Sequence, residues 1–440
     1  MLRALFFLCL LPLLGNAQPG FVSRKGSGLR LNGAPYYFSG TNYWYGGLLP
    51  LLPDTARGIG RLRRELDFLK AHGITSLRVL AGAEGSGPIN GVPRVGPPLQ
   101  PRKGVFDAHA LDGLDVLLAE LGRRDMKAVI FFSNNWEWSG GFLQYLNWNG
   151  LLADSVLRRP LAWDEMRDII SRFYTCAPCR ADYEKQVAYV LNRRNTVTGR
   201  RYVDDPAIMA WELVNEPRPM RPAANAAYAD WIRRTAAFIK SKDRRHLVTL
   251  GHEGAIGTES AALFEQVHAD PNVDYSTIHI WPRNWGWVRR DSIGADFPNA
   301  IANTEAYIRE HIAIAQRLRK PLVLEEFGFP RDDTRFAPGT ATGLRDRYYE
   351  LVYGFLQRSA DSNGVVAGAS FWAFNGSARP LPGQVFWKPG NDYMGDPPME
   401  EQSLYGVYDS DSSTWRLLDR FAGALRAARK NRAAAARPTR

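Results

Sequence analysis

Histidine, cysteine and long apolar runs are scarce in this chain, which has seven histidines and three cysteines among 440 residues. The His-Glu-x-x-His pattern does not occur in the sequence, which excludes the zinc helix of the common metalloproteases. There is also no Gly-x-Ser-x-Gly nucleophile turn and no P-loop, which excludes the α/β-hydrolase and P-loop nucleotide enzymes. Beyond the N-terminus, no segment approaches the ~18 apolar residues of a membrane-spanning helix, so we expect no membrane insertion.

The one long apolar run lies in residues 1–17, MLRALFFLCLLPLLGNA. A positive charge at Arg3 precedes the apolar residues, and small residues at Gly15 and Ala17 offer a cleavage site. This layout predicts a secretory signal peptide, and hence an extracellular or periplasmic mature protein. The alternative is a retained membrane anchor, which the shortness of the apolar run disfavours.

Signal removal takes Cys9 with it and leaves only Cys176 and Cys179, in a C-x-x-C arrangement. In an oxidising compartment this spacing favours a short-range disulfide in a loop. The alternatives are a redox dithiol and a zinc site, but zinc requires two more ligands, which the neighbouring sequence does not supply.

The net charge is +11, and much of the excess lies in the last 25 or so residues, where Asp419 is the only acid. This bias indicates either attraction to a polyanion or a final amphipathic helix with a solvated end. We expect residues 426–440 to form a basic, flexible tail after a single catalytic domain at 18–425. Elsewhere no basic stripe with interleaved aromatics occurs, so we expect no nucleic-acid partner.

The body of the chain alternates short apolar runs with longer amphipathic segments such as 61–72, 111–123 and 228–240. Strand–helix alternation over this length predicts a (β/α)8 TIM barrel with long loops, acting as a monomer. A doubly wound sheet is the alternative, but the residues after Gly40 lack its Gly-rich turn. The predicted strands are 36–40, 76–80, 128–132, 209–213, 247–250, 275–279, 322–324 and 369–372.

Polar chemistry concentrates where these strands end, which is where barrel enzymes carry their active sites. Glu216 follows one strand end, and the pair Glu325-Glu326 ends another. Two carboxyls across a cleft are the minimum apparatus for glycoside hydrolysis, which requires neither a metal nor an organic cofactor. Alternation along an extended strand places Glu325 and Glu326 on opposite faces, and the sequence alone does not choose between them.

Aromatic residues make up 12% of the chain, and many tryptophans fall on the same predicted face. Aromatic rings that line an open cleft are suited to stacking against sugars. We therefore expect a carbohydrate polymer as substrate. The tryptophans concerned are Trp44, Trp136, Trp138, Trp148, Trp281, Trp285, Trp287, Trp372 and Trp387. A core position would account for some of them, and taken individually Trp148 and Trp211 are expected to be core residues.

The segment Ile208–Arg218, IMAWELVNEPR, resembles the acid/base signature of glycoside hydrolase family 5, especially its endo-β-1,4-mannanase branch. The resemblance extends over residues 29–425. The segments that point specifically to the mannanase branch are Phe-Tyr-Thr at 173–175 and Asn-Thr-Val-Thr-Gly at 195–199. The resemblance also includes Glu-Phe-Gly at 326–328, which much of the family shares.

This resemblance implies that Glu216 is the acid/base and that Glu326, directly before Phe-Gly, is the nucleophile. The residues that it places around the sugar are Arg78, Asn215, His279, Trp281 and Trp372, to which we add Trp136 from the tryptophan set. Leu80 departs from the pattern, since many relatives carry an aromatic residue there, which leaves the sugar preference open.

Our hypothesis is a secreted, retaining endo-β-1,4-mannanase acting on mannan, glucomannan or galactomannan, with the pKa of Glu216 raised by its negative partner. One alternative is a β-1,4-glucanase on the same scaffold. The other is a carbohydrate-binding protein without catalysis, which the presence of both carboxylates disfavours.

Overall fold

The computed structural model describes residues 20–332 and 338–435. The predicted signal peptide at 1–17 lies outside the described residues. In chain order, the strands are β1 Val22–Lys25, β2 Gly28–Leu31, β3 Ala34–Pro35, β4 Phe38–Asn42, β5 Ser76–Leu80, β6 Ala83–Glu84, β7 Pro98–Gln100, β8 Lys127–Phe131, β9 Ile208–Glu212, β10 Leu247–Thr249, β11 Ser276–Ile280, β12 Leu322–Phe327, β13 Val366–Phe371, β14 Phe374–Gly376 and β15 Val407–Tyr408.

Helices fill most of the connections between these strands. They are α1 Thr55–Ala71, α2 Asp112–Arg123, α3 Gly141–Trp148, α4 Asp154–Arg158, α5 Trp163–Ser171, α6 Ala177–Leu191, α7 Asn225–Lys242, α8 Ala255–Thr258, α9 Ala261–His268, α10 Ile293–Leu318, α11 Gly343–Ser362 and α12 Ser412–Ala435. None of the helices described is long and apolar enough to cross a bilayer.

Eight strands form one parallel sheet in the order β10-β9-β8-β5-β4-β13-β12-β11. The two end strands of that order, β10 and β11, also approach each other and nearly close the sheet into a barrel. The contact is a hydrogen bond from the Asp274 amide, just before β11, to the Val248 carbonyl of β10 at 2.8 Å. Every residue of these strands is buried, as expected when helices cover the outside and side chains fill the inside. The predicted (β/α)8 barrel is confirmed, and the doubly wound alternative is wrong.

The long connection between β8 and β9 packs onto the barrel through aromatic rings. Phe142 of α3 stacks on Phe173 with ring centroids 4.1 Å apart, and Trp231 of α7 meets the same cluster. The Tyr174 hydroxyl donates to the Arg218 carbonyl at 2.6 Å. The Phe-Tyr-Thr segment therefore anchors the loop that follows Glu216.

Two local predictions required correction or refinement. Residues 426–435 are not a flexible tail but continue helix α12, where the Arg432 side chain donates to Asn363 Oδ1 at 2.7 Å. Cys176 and Cys179 do form the predicted disulfide, but at the start of helix α6 rather than in a loop. The remainder of the predicted tail, 436–440, lies outside the described residues.

Candidate active site

Arg78, near the end of β5, is the centre of a buried polar cluster inside the barrel. Its guanidinium donates to Glu212 Oε2 at 2.9 Å, to Asn215 Oδ1 at 2.7 Å and to Glu326 Oε1. It also donates to Asn42 Oδ1 at 3.1 Å. Since a planar guanidinium carries five donors in a fixed arrangement, Arg78 sets the positions of four side chains that come from the ends of three other strands, β4, β9 and β12.

Glu216 is held at the top of the barrel by an unusual backbone. Its φ is +53°, a left-handed conformation that is uncommon for residues other than glycine and is often found at functional sites. Its amide donates to the Gly251 carbonyl at 2.9 Å, and the preceding Asn215 amide donates to the Ser133 carbonyl at 2.9 Å. Strand β9 thus turns sharply so that the Glu216 carboxyl points into the mouth of the barrel.

The carboxyl of Glu216 accepts hydrogen bonds from three ring nitrogens. Trp136 Nε1 lies 2.5 Å from its Oε2, Trp281 Nε1 lies 3.2 Å from its Oε1, and His279 Nδ1 lies 2.6 Å from the same Oε1. The carboxyl is therefore oriented by donors from β11, from the segment that follows it and from the loop after β8.

Glu325 and Glu326 do not lie on opposite faces of β12, contrary to the alternation that the sequence predicts. The register against β11 shifts between Ile278 and His279, so that Glu325 is the extra residue of a β-bulge. As a result both carboxyls point inward: Glu325 Oε2 lies 3.7 Å from Arg78 Nε, and Glu326 also contacts Arg78. Of the two, Glu326 lines the open cleft described below.

His279 bridges the two carboxyls that face the cleft. Its Nδ1 lies 2.6 Å from Glu216 Oε1 and 3.1 Å from Glu326 Oε2. One oxygen of each carboxyl and a ring nitrogen of His279 all lie within 4.8 Å of one another. Retaining glycosidases hold their two carboxyls ~5–5.5 Å apart, so the proximity of these oxygens fits that class rather than the wider spacing of inverting enzymes.

We expected the pKa of Glu216 to be raised, and the structure shows the opposite. Burial acts to raise the pKa of Glu216, but the hydrogen bond and positive charge of His279 outweigh it and bring the pKa to about 2. Burial raises the pKa of Glu326, although the charges of His279 and Arg78 oppose it. For His279, burial acts to lower the pKa, but Glu326 and Glu216 hold it well above its ordinary value. In the free site the proton therefore lies on His279.

Among the described residues, one cluster has the side chains and spacing to hold a metal ion. It consists of Glu216, His279 and Glu326. Metal ligation requires a neutral imidazole, whereas the pKa of His279 is raised. Arg78 already supplies a positive charge to Glu326. The arrangement therefore favours proton transfer and nucleophilic attack over metal binding.

A cleft of about 360 Å³ opens above these carboxyls. Its aromatic walls are Trp136, Trp138, Trp163, Trp281, Trp285 and Trp372, and its polar lining includes Asn215, Glu216, Arg218, Glu253, Asn284, Glu326 and Glu400. Trp281 and Trp372 meet edge to face with centroids 5.8 Å apart, above Glu216 and Glu326. Such an aromatic cleft with convergent polar groups is suited to a carbohydrate.

Comparison with known proteins agrees with this geometry. The family model described as GH family 5 beta-mannosidase-like matches residues 19–430. The chain belongs to this family. It is therefore a glycoside hydrolase of family 5, as the resemblance implied.

Named relatives of this family 5 chain cover most of its length. Mannan endo-1,4-beta-mannosidase 1 of Oryza sativa subsp. japonica is 31% identical over 93% of this chain and 89% of its own. Mannan endo-1,4-beta-mannosidase 7 of Arabidopsis thaliana is 34% identical over 80% of this chain and 77% of its own. The crystal structure of a family 5 mannosidase from Rhizomucor miehei is 30% identical, with a TM-score of 0.82 over 94% of this chain and 99% of that one.

All eight site residues that the sequence singled out in this family 5 chain lie together. Asn215, Glu216, Glu326 and the tryptophans 136, 281 and 372 line the cleft, while Arg78 and His279 lie beneath it and contact the carboxyls. Leu80, where the sequence departs from the family pattern, is buried in the core.

The tryptophan set needed revision. Trp44 is buried, and its Nε1 donates to the Gly395 carbonyl at 2.7 Å, while Trp387 stacks on Tyr393. Trp148 packs against the core and edge-on against Tyr145, as expected for it individually. Conversely, Trp163 lines the cleft, and its side chain is exposed. Trp163 does not lie near the end of a predicted strand, so no sequence pattern indicated its role.

Three carboxyls near the site were not recognised from the sequence. Glu212 shares Arg78 with Glu326, and its position at the end of β9, four residues before Glu216, was an available signal. Glu253 forms an ion pair with Arg218 at the cleft wall, and burial raises the pKa of Glu253 to about 7. Glu400 lines the cleft from a distant loop, and burial together with Asp396 raises its pKa well above the ordinary value.

Proposed function

We propose that the protein is a secreted, monomeric, endo-acting glycoside hydrolase that cleaves β-1,4-mannosidic linkages in mannan, glucomannan or galactomannan with retention of configuration. The observation that carries the proposal is the pair of carboxyls, Glu216 and Glu326, in an aromatic cleft. One oxygen of the Glu216 carboxyl lies within 4.8 Å of one oxygen of the Glu326 carboxyl. The substrate class rests on the names of the rice and Arabidopsis relatives, mannan endo-1,4-beta-mannosidases.

In the first step Glu326 attacks the anomeric carbon while Glu216 donates a proton to the glycosidic oxygen. The bond between that carbon and oxygen breaks, the shortened chain leaves as an alcohol, and an ester joins the sugar to Glu326. Arg78, in contact with Glu326 Oε1, stabilises the carboxylate and orients it for the attack.

In the second step Glu216, now ionised, takes a proton from water as the water oxygen attacks the anomeric carbon. The ester bond breaks, Glu326 returns to the carboxylate, and two inversions leave the β configuration unchanged.

The proton for the first step is stored on His279. Its Nδ1 lies 2.6 Å from Glu216 Oε1, a hydrogen-bond distance at which the proton can pass to Glu216 once a sugar occupies the cleft. The low pKa of Glu216 in the free protein reflects this placement of the proton on the imidazole.

Export of the chain is supported by the residues at 1–17 and by the Cys176–Cys179 disulfide, a bond typical of oxidising compartments. Expression in a secreting host, followed by N-terminal sequencing of the medium fraction, tests this part. A mature protein beginning near residue 18 supports it, and retention in the membrane fraction with Met1 intact contradicts it.

A second candidate is exo-action, the removal of sugars from a chain end. It is favoured by the loop that carries Pro397, Met399 and Glu400, which adds to the lining of the cleft, and by the similarity to the Rhizomucor miehei protein, which is named a mannosidase.

One experiment separates these possibilities. Mannohexaose, galactomannan, glucomannan and carboxymethylcellulose are incubated with the protein, and the products are followed over time. Oligosaccharides of mixed length from mannohexaose support endo-action, and stepwise release of mannose alone supports exo-action. Release from cellulose only contradicts the mannan assignment, and proton NMR showing an initial α product contradicts retention.

A further inference from the structure

A basic groove lies at the end of the barrel opposite the cleft. It has a volume of about 260 Å³, and its charged lining consists of Lys70 from α1 and of Arg426, Arg429 and Arg432 from α12. Its floor includes Ser39 and Thr75, at the beginnings of β4 and β5, whereas the cleft lies beyond the carboxyl ends of the strands. The groove is therefore separated from the carboxyls by the length of the barrel.

The charge in this groove is not balanced locally. No aspartate or glutamate lines it, and the chain contains no acid after Asp419. Within the described residues, Lys70, Arg426 and Arg429 form no ion pair. Arg432 is held by neutral partners, Asn363 Oδ1 at 2.7 Å and the Ala360 carbonyl, so its charge also remains uncompensated.

The three arginines form a regular row. They are spaced three residues apart on α12, and a rise of about 1.5 Å per residue places successive side chains about 4.5 Å apart along the helix axis. Neighbours at this spacing lie close together on a helix surface, and each step turns about 60° around the axis, so the row winds across the face of α12 that borders the groove. Their guanidinium groups match the geometry of carboxylates, so a row of them is suited to a linear polymer with repeated carboxylates.

We propose that this groove binds a carboxylated polysaccharide and holds the enzyme on an acidic polymer while the opposite face works on its substrate. A single-stranded nucleic acid is disfavoured because it requires open aromatic rings for base stacking. Tyr36 is buried, and the ring of Tyr37 is covered by the Arg432 guanidinium at 4.9 Å from its centroid. Binding at the groove is independent of whether the cleft cleaves mannan.

The test uses the full mature chain and polygalacturonate as the acidic probe, with neutral galactomannan and single-stranded DNA as comparisons. Dissociation constants are measured by affinity electrophoresis at low salt and at higher salt. The groove variant is the double substitution Arg426→Glu and Arg429→Glu. The matched control is Arg64→Glu with Arg416→Glu, which makes the same charge change at exposed positions of α1 and α12 that do not line the groove. Arg416 lies about 15 Å before Arg426 along the axis of α12.

We expect polygalacturonate to bind at low salt and to bind more weakly as salt screens the charges. The groove variant should lose about tenfold or more in affinity, a difference of about 1.4 kcal/mol, while the control variant stays near the wild type. Turnover of mannopentaose should be the same in all three proteins, because none of these arginines touches the cleft.

Equal losses in both variants would show that net charge alone is responsible and would overturn the proposal. Absence of polygalacturonate binding at low salt, or DNA binding that is tighter and equally sensitive to the groove variant, would also overturn it. Loss of mannan cleavage in the wild type would refute the proposed function but would leave this binding result intact.

Discussion

His279 Nδ1 lies 2.6 Å from Glu216 Oε1, and the same atom lies 3.1 Å from Glu326 Oε2. One imidazole thus connects the proposed acid/base with the proposed nucleophile before any sugar is present. Because the pKa of His279 is raised, the proton that catalysis requires is retained at neutral pH, although the pKa of Glu216 is low. The pair, rather than either residue alone, is the titrating unit.

The pH dependence of kcat/KM should follow from these shifts. Glu326 must be ionised to attack, and its raised pKa moves the acid limb to higher pH than an ordinary glutamate would give, with activity lost as the pH falls. The alkaline limb reports loss of the proton shared by Glu216 and His279. We expect His279→Gln to move that limb to lower pH by on the order of one unit or more, because a buried carboxyl alone holds a proton less tightly than the pair.

A suitable control is His109→Gln, an exposed residue remote from the cleft, which should leave the profile unchanged. An alkaline limb that stays in place in His279→Gln would show that His279 does not hold the catalytic proton.

Substitution of the two carboxyls should separate their roles. Glu216→Gln removes the proton donor and should lower the rate on mannan by about 10²–10⁴-fold, the usual range for general acid catalysis. An aryl β-mannoside with a good leaving group requires no protonation in the first step, so Glu216→Gln should still release the phenol in a burst. Glu326→Gln should be inactive on both substrates, because no ester can form.

The matched control for both variants is Glu350→Gln, which removes an exposed carboxyl on α11 that pairs with Arg420. Full activity of Glu326→Gln on the aryl substrate would refute the assignment of the nucleophile.

Arg78 should matter for stability as well as for activity. Arg78→Met leaves the buried carboxyl of Glu212 without its guanidinium partner and removes one of the two cations beside Glu326, and removal of one partner from a buried ion pair typically costs about 3–5 kcal/mol. Arg57→Met breaks the exposed pair with Asp392 and should cost less than about 1 kcal/mol. Free energies of unfolding from urea titrations test the contrast, and equal losses would contradict it.

Trp163 should contribute to binding rather than to chemistry. Its exposed ring lies 6.2 Å from Trp136, at the outer part of the cleft and away from the two carboxyls. We expect Trp163→Ala to raise KM for long manno-oligosaccharides by roughly fivefold, about 1 kcal/mol of stacking, with little change in kcat. Trp415→Phe, in the core beside Phe68, is a control for general loss of an indole. A fall in kcat with unchanged KM for Trp163→Ala would contradict a role confined to binding.

Much of the fold could be predicted from local patterns. Segments such as 76–80 and 322–324 are short, apolar and bounded by helical stretches, and each became a buried barrel strand. Glu216 could be found because it lies just beyond the end of such a strand and precedes Pro217. The basic end of the chain was harder to predict: residues 426–435 remain helical because α12 packs against α11 along its length.

The amino-acid sequence by itself determined the eight-stranded alternation, the strand ends that carry Arg78, Glu216, His279 and Glu326, and membership of a hydrolase family, since these follow from residue order. The family resemblance already pointed to Glu326 as the nucleophile. Only the tertiary structure decided that Glu325 also turns inward, where Trp163 and Glu400 lie, and that His279 lowers the pKa of Glu216. The physical reason is that a β-bulge, a distant loop and the burial of charge depend on contacts between segments far apart in the chain, and no local pattern records such contacts.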